Sequence, residues 1–252
     1  MGQDESKTIR DNYKTIQEVQ KAIREAGLES SSLIFGIDYT GSNESTGRIS
    51  FQGRNLHDCT VLNPYQEVIQ ILGETLEPFD DDHIIPTYGF GDKKTGDKNV
   101  FPFYPNKEPV GFKEVLERYK EITPKIELYG PTSFKPLIYE AIKIVKDKKA
   151  YHILVIVTDG QVSDENENIR AIVEASKYAL SIICIGVGDG PFDSMEKFDD
   201  KIKGRKFDNF QFVQFNVIRK KYCEDFAPAF ATACLQEIPE QFRLIKKFGY
   251  LG

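Results

Sequence analysis

The apolar run Leu33-Ile34-Phe35-Gly36-Ile37 ends on an acid, Asp38, and hydroxyls follow at alternate positions, Thr40 and Ser42. A short run that is apolar on both faces suits a strand of a covered parallel sheet, and its polar end then falls where the strand opens into a loop. Ligand sites of open α/β sheets lie at that carboxyl edge. One carboxylate and two hydroxyl oxygens at i, i+2 and i+4 make an all-oxygen set suited to a hard divalent cation such as Mg2+. The same residue types also cap the helix after a strand, so the pattern alone leaves a capping role open.

A second apolar run, Tyr151 to Thr158, ends on Asp159 with Gly160 to free the turn, which allows Asp159 to stand beside Asp38. Between them, Tyr129-Gly130-Pro131-Thr132-Ser133 reads as a rigid turn that places the Thr132 hydroxyl at the start of the helix-like segment 136–146. Further runs predict strands near 32–38, 84–90, 151–158, 180–187 and 211–215, and helices near 64–76, 111–121, 135–147, 166–178 and 223–237. Such alternation implies right-handed crossovers: an α/β fold with a doubly wound, mainly parallel sheet and helices on both faces. One antiparallel edge strand is expected within 47–60, and a surface loop with a helical turn over 192–206. Ile9, Tyr13, Ile16, Val19 and Ile23 recur at helical spacing before Gly27, which predicts an amphipathic helix over about 9–27, packed on the domain and closed by a glycine cap. Residues 9–252 then form one domain, and residues 1–8 form a tail.

With 252 residues, 40% of them hydrophobic, the chain can bury a large core as a single domain. The net charge of −6 argues against nucleic acid as a partner, because no basic stripe is present to displace counterions from phosphates. Cys59, Cys184, Cys223 and Cys234 form no C-x-x-C pair or framework spacing, and no apolar stretch has membrane-spanning length. These features point to a cytoplasmic or nuclear protein with reduced thiols. His57, His83 and His152 are far apart in sequence and from cysteine pairs, and none is assigned to a metal. Asp92 and Asp189 end apolar runs in glycine-flanked turns and are read as turn-forming residues.

The combination D-x-T-x-S, then T, then D resembles the metal-ion-dependent adhesion site of von Willebrand factor A domains. Whole phrases go further: Tyr88-Gly89-Phe90-Gly91-Asp92, Gly130-Pro131-Thr132-Ser133-Phe134, Gly186-Val187-Gly188-Asp189-Gly190-Pro191 and Phe207-Asp208-Asn209-Phe210 are similar to the A domain of copines. They are more similar still to the copine-like domain of plant-type RING ubiquitin ligases. The resemblance implies that Asp38, Thr40, Ser42, Thr132 and Asp159 ligate Mg2+ (or Mn2+), directly or through water, with Thr40 where many A domains have Ser. It also implies a non-catalytic binding module whose cation keeps an open position for a partner's Asp or Glu. Ser133 and Thr158, next to these residues, are candidates to hydrogen-bond the carboxylates.

Two departures limit what the resemblance implies. Copines carry paired C2 domains before the A domain, where these 252 residues offer a short helical segment, so calcium-driven membrane docking is not implied. The ligase relatives carry a RING, which needs closely spaced Cys/His pairs for zinc that this sequence lacks. The ligase alternative is therefore a substrate-recruiting part of a ubiquitin-ligase system with the RING elsewhere, and with ubiquitin-conjugation components as partners. A different class of reading takes Asp38-Tyr39-Thr40-Gly41-Ser42 as the nucleophile loop of a haloacid-dehalogenase-type phosphotransferase. Asp38 would then form an acyl-phosphate, and the acids of Gly188-Asp189-Gly190-Pro191-Phe192-Asp193 would hold its Mg2+. It leaves Asp159 unexplained. Finally, Met1-Gly2-Gln3-Asp4-Glu5-Ser6 fits M-G-x-x-x-[ST], which marks Gly2 as an N-myristoylation acceptor and implies reversible peripheral membrane association.

Overall fold

The computed structural model describes residues 13–251. The Gly2 acylation signal and the first residues of the N-terminal helix prediction lie outside them. The helix itself, α1 (Ile16–Glu25), begins with a capping box between Thr15 and Glu18 and ends at Gly27, whose positive φ of 82° accounts for the glycine there. Its apolar stripe, Val19, Ala22 and Ile23, is buried.

The frame is a six-stranded sheet in the order β3-β2-β1-β4-β5-β6. β1 (Ser32–Asp38) pairs in parallel with β2 (Thr87–Phe90) on one side and with β4 (His152–Thr158) on the other. β5 (Leu180–Gly186) and β6 (Phe210–Gln214) continue the parallel order. Nearly every residue of β1, β4 and β5 is buried, so both faces are covered, and the runs read as continuously apolar for that reason. The covering helices are α2 (Pro64–Leu76), α3 (Gly111–Ile122), α4 (Lys135–Lys148) and α5 (Glu165–Ala175), with α6 (Asp193–Asp200), α7 (Phe215–Tyr222), α8 (Phe226–Leu235) and α9 (Ile238–Lys247) toward the C-terminus. Gly36 lets α4 approach the central strand: a Cβ there would lie 2.0 Å from Leu137. α1 packs against α8 and α9, closing the domain with its last helices.

Three expectations are corrected. The antiparallel edge strand is not in 47–60, which folds as turns closed by contacts such as Gly53 N–H to the Gly47 carbonyl (3.0 Å). It is β3 (Phe101–Pro102), paired with Tyr88 and Gly89, where the missing Cβ of Gly89 makes room for the Phe101 ring. The helix predicted over 223–237 is divided, with α7 before it, a short 3-10 turn at Cys223–Asp225, α8, and then α9 beyond it. The segment 192–206 contains a full helix, α6, whose Met195 and Phe198 are buried.

Candidate metal centre

β1 and β4 are neighbours in register, with Ile37 opposite Val157, so the acids that end them emerge side by side at the carboxyl edge. Asp38 and Asp159 are both 0% exposed. Each carboxylate accepts one hydrogen bond at each of its oxygens. Asp38 accepts from the Thr40 N–H (2.8 Å) at Oδ1 and from the Thr158 hydroxyl (2.5 Å) at Oδ2. Asp159 accepts from Ser42 (2.9 Å) at Oδ1 and from Thr46 (2.5 Å) at Oδ2. The Thr40 and Ser42 hydroxyls are 3.0 Å apart.

The loop that carries these hydroxyls is fixed by its main chain. Gly41 N–H donates to the Tyr129 carbonyl (2.5 Å), and a Cβ on Gly41 would sit 2.8 Å from that oxygen. Gly91, in the turn after β2 with φ of 80°, backs Thr40 so closely that a Cβ would come 2.4 Å from its methyl carbon. Asn43 donates to the Thr40 carbonyl (3.0 Å) and accepts from the Tyr65 hydroxyl (2.6 Å), so α2 holds the loop from beneath.

Burial, and then the charge of Asp159, push the Asp38 carboxyl well above the usual carboxylate range. Burial likewise raises Asp159, and the Thr46 and Ser42 hydroxyls oppose that rise. Two carboxylates kept from water, one of them raised by the charge of the other, are favourable to a positive charge between them. The donors present are all hard oxygens, two anionic and the rest neutral hydroxyls, so the donor set fits Mg2+ or Mn2+.

Four of the five residues expected from sequence therefore meet: Asp38, Thr40, Ser42 and Asp159. Thr132 is buried in the loop before α4, where its carbonyl accepts from Ser163 N–H (2.9 Å) in the loop after Asp159. Among the described residues no hydrogen bond joins its hydroxyl, or that of Ser133, to the cluster. Thr158 bonds Asp38 directly. Sequence reasoning missed Thr46, Asn43 and His57. No periodicity or motif marks them in the sequence. Asp92 receives the Thr95 N–H (3.0 Å) and hydroxyl, and Asp189 receives the Ile49 (2.7 Å) and Ser50 (2.9 Å) N–H groups, so both shape turns. Asp193 in turn accepts from the Gln161 side chain (2.8 Å), so both acids that the phosphotransferase reading needs for Mg2+ are turned to other partners, and that reading is left without support.

A protein-family model described as Copine matches residues 55–251. The chain is 49% identical over 97% of its length to E3 ubiquitin-protein ligase RGLG4 of Arabidopsis thaliana, covering 65% of that protein. It is 51% identical over 95% of its length to copine family protein 2 of Caenorhabditis elegans, covering 3% of that much longer protein. The chain thus spans less than two thirds of the length of these relatives. Among solved structures, a von Willebrand factor type A protein from Catenulispora acidiphila aligns with a TM-score of 0.51 at 17% identity, over 81% of this chain and 43% of that one, a likeness of fold.

Proposed function

The chain belongs to the copine family, and from that premise we propose that it is a non-catalytic binding module that holds Mg2+ (or Mn2+) between Asp38 and Asp159 and captures an acidic residue of a protein partner through it. The observation that carries this reading is the pair of fully buried carboxylates served by Thr40, Ser42 and Thr46 of the loop after β1 and by Thr158 at the end of β4. When bound, the cation would supply an electrophilic centre for a carboxylate oxygen. The chain's own residues do the rest: Asp38 and Asp159 provide the negative charge, Thr40 and Ser42 provide neutral oxygens, and Thr46 and Thr158 orient the acids. Two carboxylates with neutral hydroxyls compensate a divalent cation less than an all-carboxylate cage does, which leaves it receptive to one more anionic oxygen. Thr132 stays in the proposal as a ligand through water.

Calorimetry with Mg2+ and Mn2+ on the wild type and on Asp38→Ala, with circular dichroism to verify folding, tests the reading. Binding by the wild type alone is expected. No binding by a folded wild type would reduce these residues to loop caps.

A second reading is motivated by the likeness to RGLG4 over almost the whole chain: the module recruits substrates within a ubiquitin-ligase system whose RING lies elsewhere. Pulldown of a ubiquitin-conjugating enzyme or a RING protein would favour it. The start M-G-x-x-x-S motivates a further element of the proposal, reversible membrane association through myristoylated Gly2, with residence in the cytoplasm, at its membranes or in the nucleus. Mass spectrometry of the protein from its native cell tests this, and an unmodified Gly2 amine throughout would remove it.

A further inference from the structure

Two of the most exposed large apolar side chains stand on either side of the candidate metal centre, and both are carried by clamped main chain. Ile49 is 81% exposed. Its N–H donates to Asp189 Oδ2 (2.7 Å), the Asp189 N–H donates to the Thr46 carbonyl (2.7 Å), and the Thr46 hydroxyl donates to Asp159. Gly188, with φ of 79°, permits this seating, since a Cβ there would meet the Thr46 carbonyl oxygen at 2.8 Å. Tyr129 is 62% exposed, although its N–H donates to the Tyr39 carbonyl (3.3 Å) and its carbonyl accepts from Gly41 N–H. Tyr129 pairs with Thr40 next to the strand extension that joins Leu128 to Asp92, so it lies on the β2 side of the cluster. Ile49 is tied to the turn after β5, on the other side.

A flexible loop can turn an apolar side chain inward. A loop fixed by hydrogen bonds at these positions holds it in water, where its surface gains only when covered by another molecule. Resting on the metal-capture reading above, we propose that Ile49 and Tyr129 are specificity residues that select an extended acidic segment of a partner protein whose carboxylate reaches the cation and whose apolar neighbours cover these two side chains. Charge complementarity fixes the centre of such a segment, and the apolar pair fixes its flanks. A carboxylate alone would be taken from any acidic loop, so the flanks supply the discrimination.

The test uses fluorescein-labelled heptapeptides with a central aspartate or glutamate, flanked either by leucine, phenylalanine and valine or by serine and glycine, titrated with the full chain in Mg2+ and in chelator. Apolar-flanked peptides are expected to bind about tenfold or more tightly than polar-flanked ones, and only in Mg2+. Ile49→Ser and Tyr129→Ser are each expected to erase that preference while calorimetric Mg2+ binding stays at the wild-type level. Equal affinity for the two peptide sets, or an unchanged preference in both variants, overturns the inference. So does Mg2+-dependent flotation with phosphatidylserine vesicles in place of peptide discrimination, which would assign the apolar pair to lipid. Mg2+ binding without flank preference defeats this inference alone, whereas absence of Mg2+ binding by the wild type defeats the metal-capture reading together with it.

Discussion

His57 Nε2 stands 2.7 Å from the main-chain carbonyl oxygen of Asp38. A carbonyl can only accept, so Nε2 carries the proton. With burial pushing the His57 pKa down to about 3, the ring is neutral and its Nδ1 accepts from the Tyr119 hydroxyl 2.7 Å away. The imidazole lies stacked between Tyr39 and Tyr65, with centroids 4.6 and 4.2 Å away. It thereby fixes the end of β1 from which the Asp38 carboxylate projects. His57→Phe keeps the stacking but takes the 2.7 Å partner from two buried polar groups, leaving the Asp38 carbonyl and the Tyr119 hydroxyl only 3.4 Å contacts with the Asn43 and Asn63 side chains, at a cost of about 2–4 kcal/mol. Thermal denaturation should then show a drop in Tm on the order of 10 °C. A variant melting with the wild type would mean that the ring packs the site without anchoring it.

Asp38 and Asp159 are both buried, and in the metal-free protein they repel each other. Asp38→Asn keeps the acceptor for Thr40 N–H and removes one charge. In chelator this variant should be more stable than the wild type by about 1–2 kcal/mol, because desolvation and like charge both penalise the ionised pair. In saturating Mg2+ the order should invert, since only the wild type gains stability by binding. Melting curves in chelator and in Mg2+ suffice. Parallel shifts of the two proteins would remove the cation from between these acids.

The ends of β1 and β4 were readable because a covered parallel strand must be apolar throughout, so Asp38 and Asp159 mark its exit without ambiguity. Thr46 and His57 were not readable. They lie in 45–57, a stretch without periodicity whose path is set by distant groups, among them the Asn43 carbonyl that accepts from Leu56 and the Asp189 carboxylate that holds Ile49. The edge strand was misplaced for a related reason: β3 spans two residues and depends on the space left by Gly89, a tertiary condition invisible in a local pattern. At the C-terminus, Pro228 and Pro239 sit in the first turns of α8 and α9, where proline is tolerated, so both are helix-start signals, and Pro228 falls inside the single helix predicted over 223–237.

Asp80 follows the 3-10 turn after α2; the residue is buried, and its Oδ1 lacks a hydrogen-bond partner among the described residues. Burial, and next the charge of Asp82, push its pKa up to about 6 from the ordinary 3.8. The folded state therefore holds this proton more tightly than the unfolded one. Its contribution to stability is full below about pH 4 and is lost as pH rises to about 6, by at most about 3 kcal/mol. Asp80→Asn should flatten that part of the stability profile and exceed wild-type stability at pH 7. Urea unfolding of both proteins at pH 4, 5, 6 and 7 measures it, and parallel profiles would refute the assignment.

Arg205 and Asp208 form an ion pair with both side chains 1% exposed and Nη1 2.6 Å from Oδ1. The same guanidinium donates to the Asp199 carbonyl (2.9 Å) at the end of α6, and Asp199 in turn accepts the Phe212 N–H (3.0 Å) of the edge strand β6. The pair thus seats α6 on the sheet edge. Arg205→Ala takes the ion-pair partner from the buried Asp208 carboxylate and the guanidinium from the Phe198 and Asp199 carbonyls, so it should cost about 3–5 kcal/mol. The double change Arg205→Met with Asp208→Leu removes both charges and fills the space, so it should recover most of that loss while leaving Mg2+ binding at Asp38 and Asp159 unchanged. The contrast separates two views of the pair: a net source of stability predicts that the double variant is worse than either single change. A costly device for positioning α6 predicts the reverse order of urea midpoints.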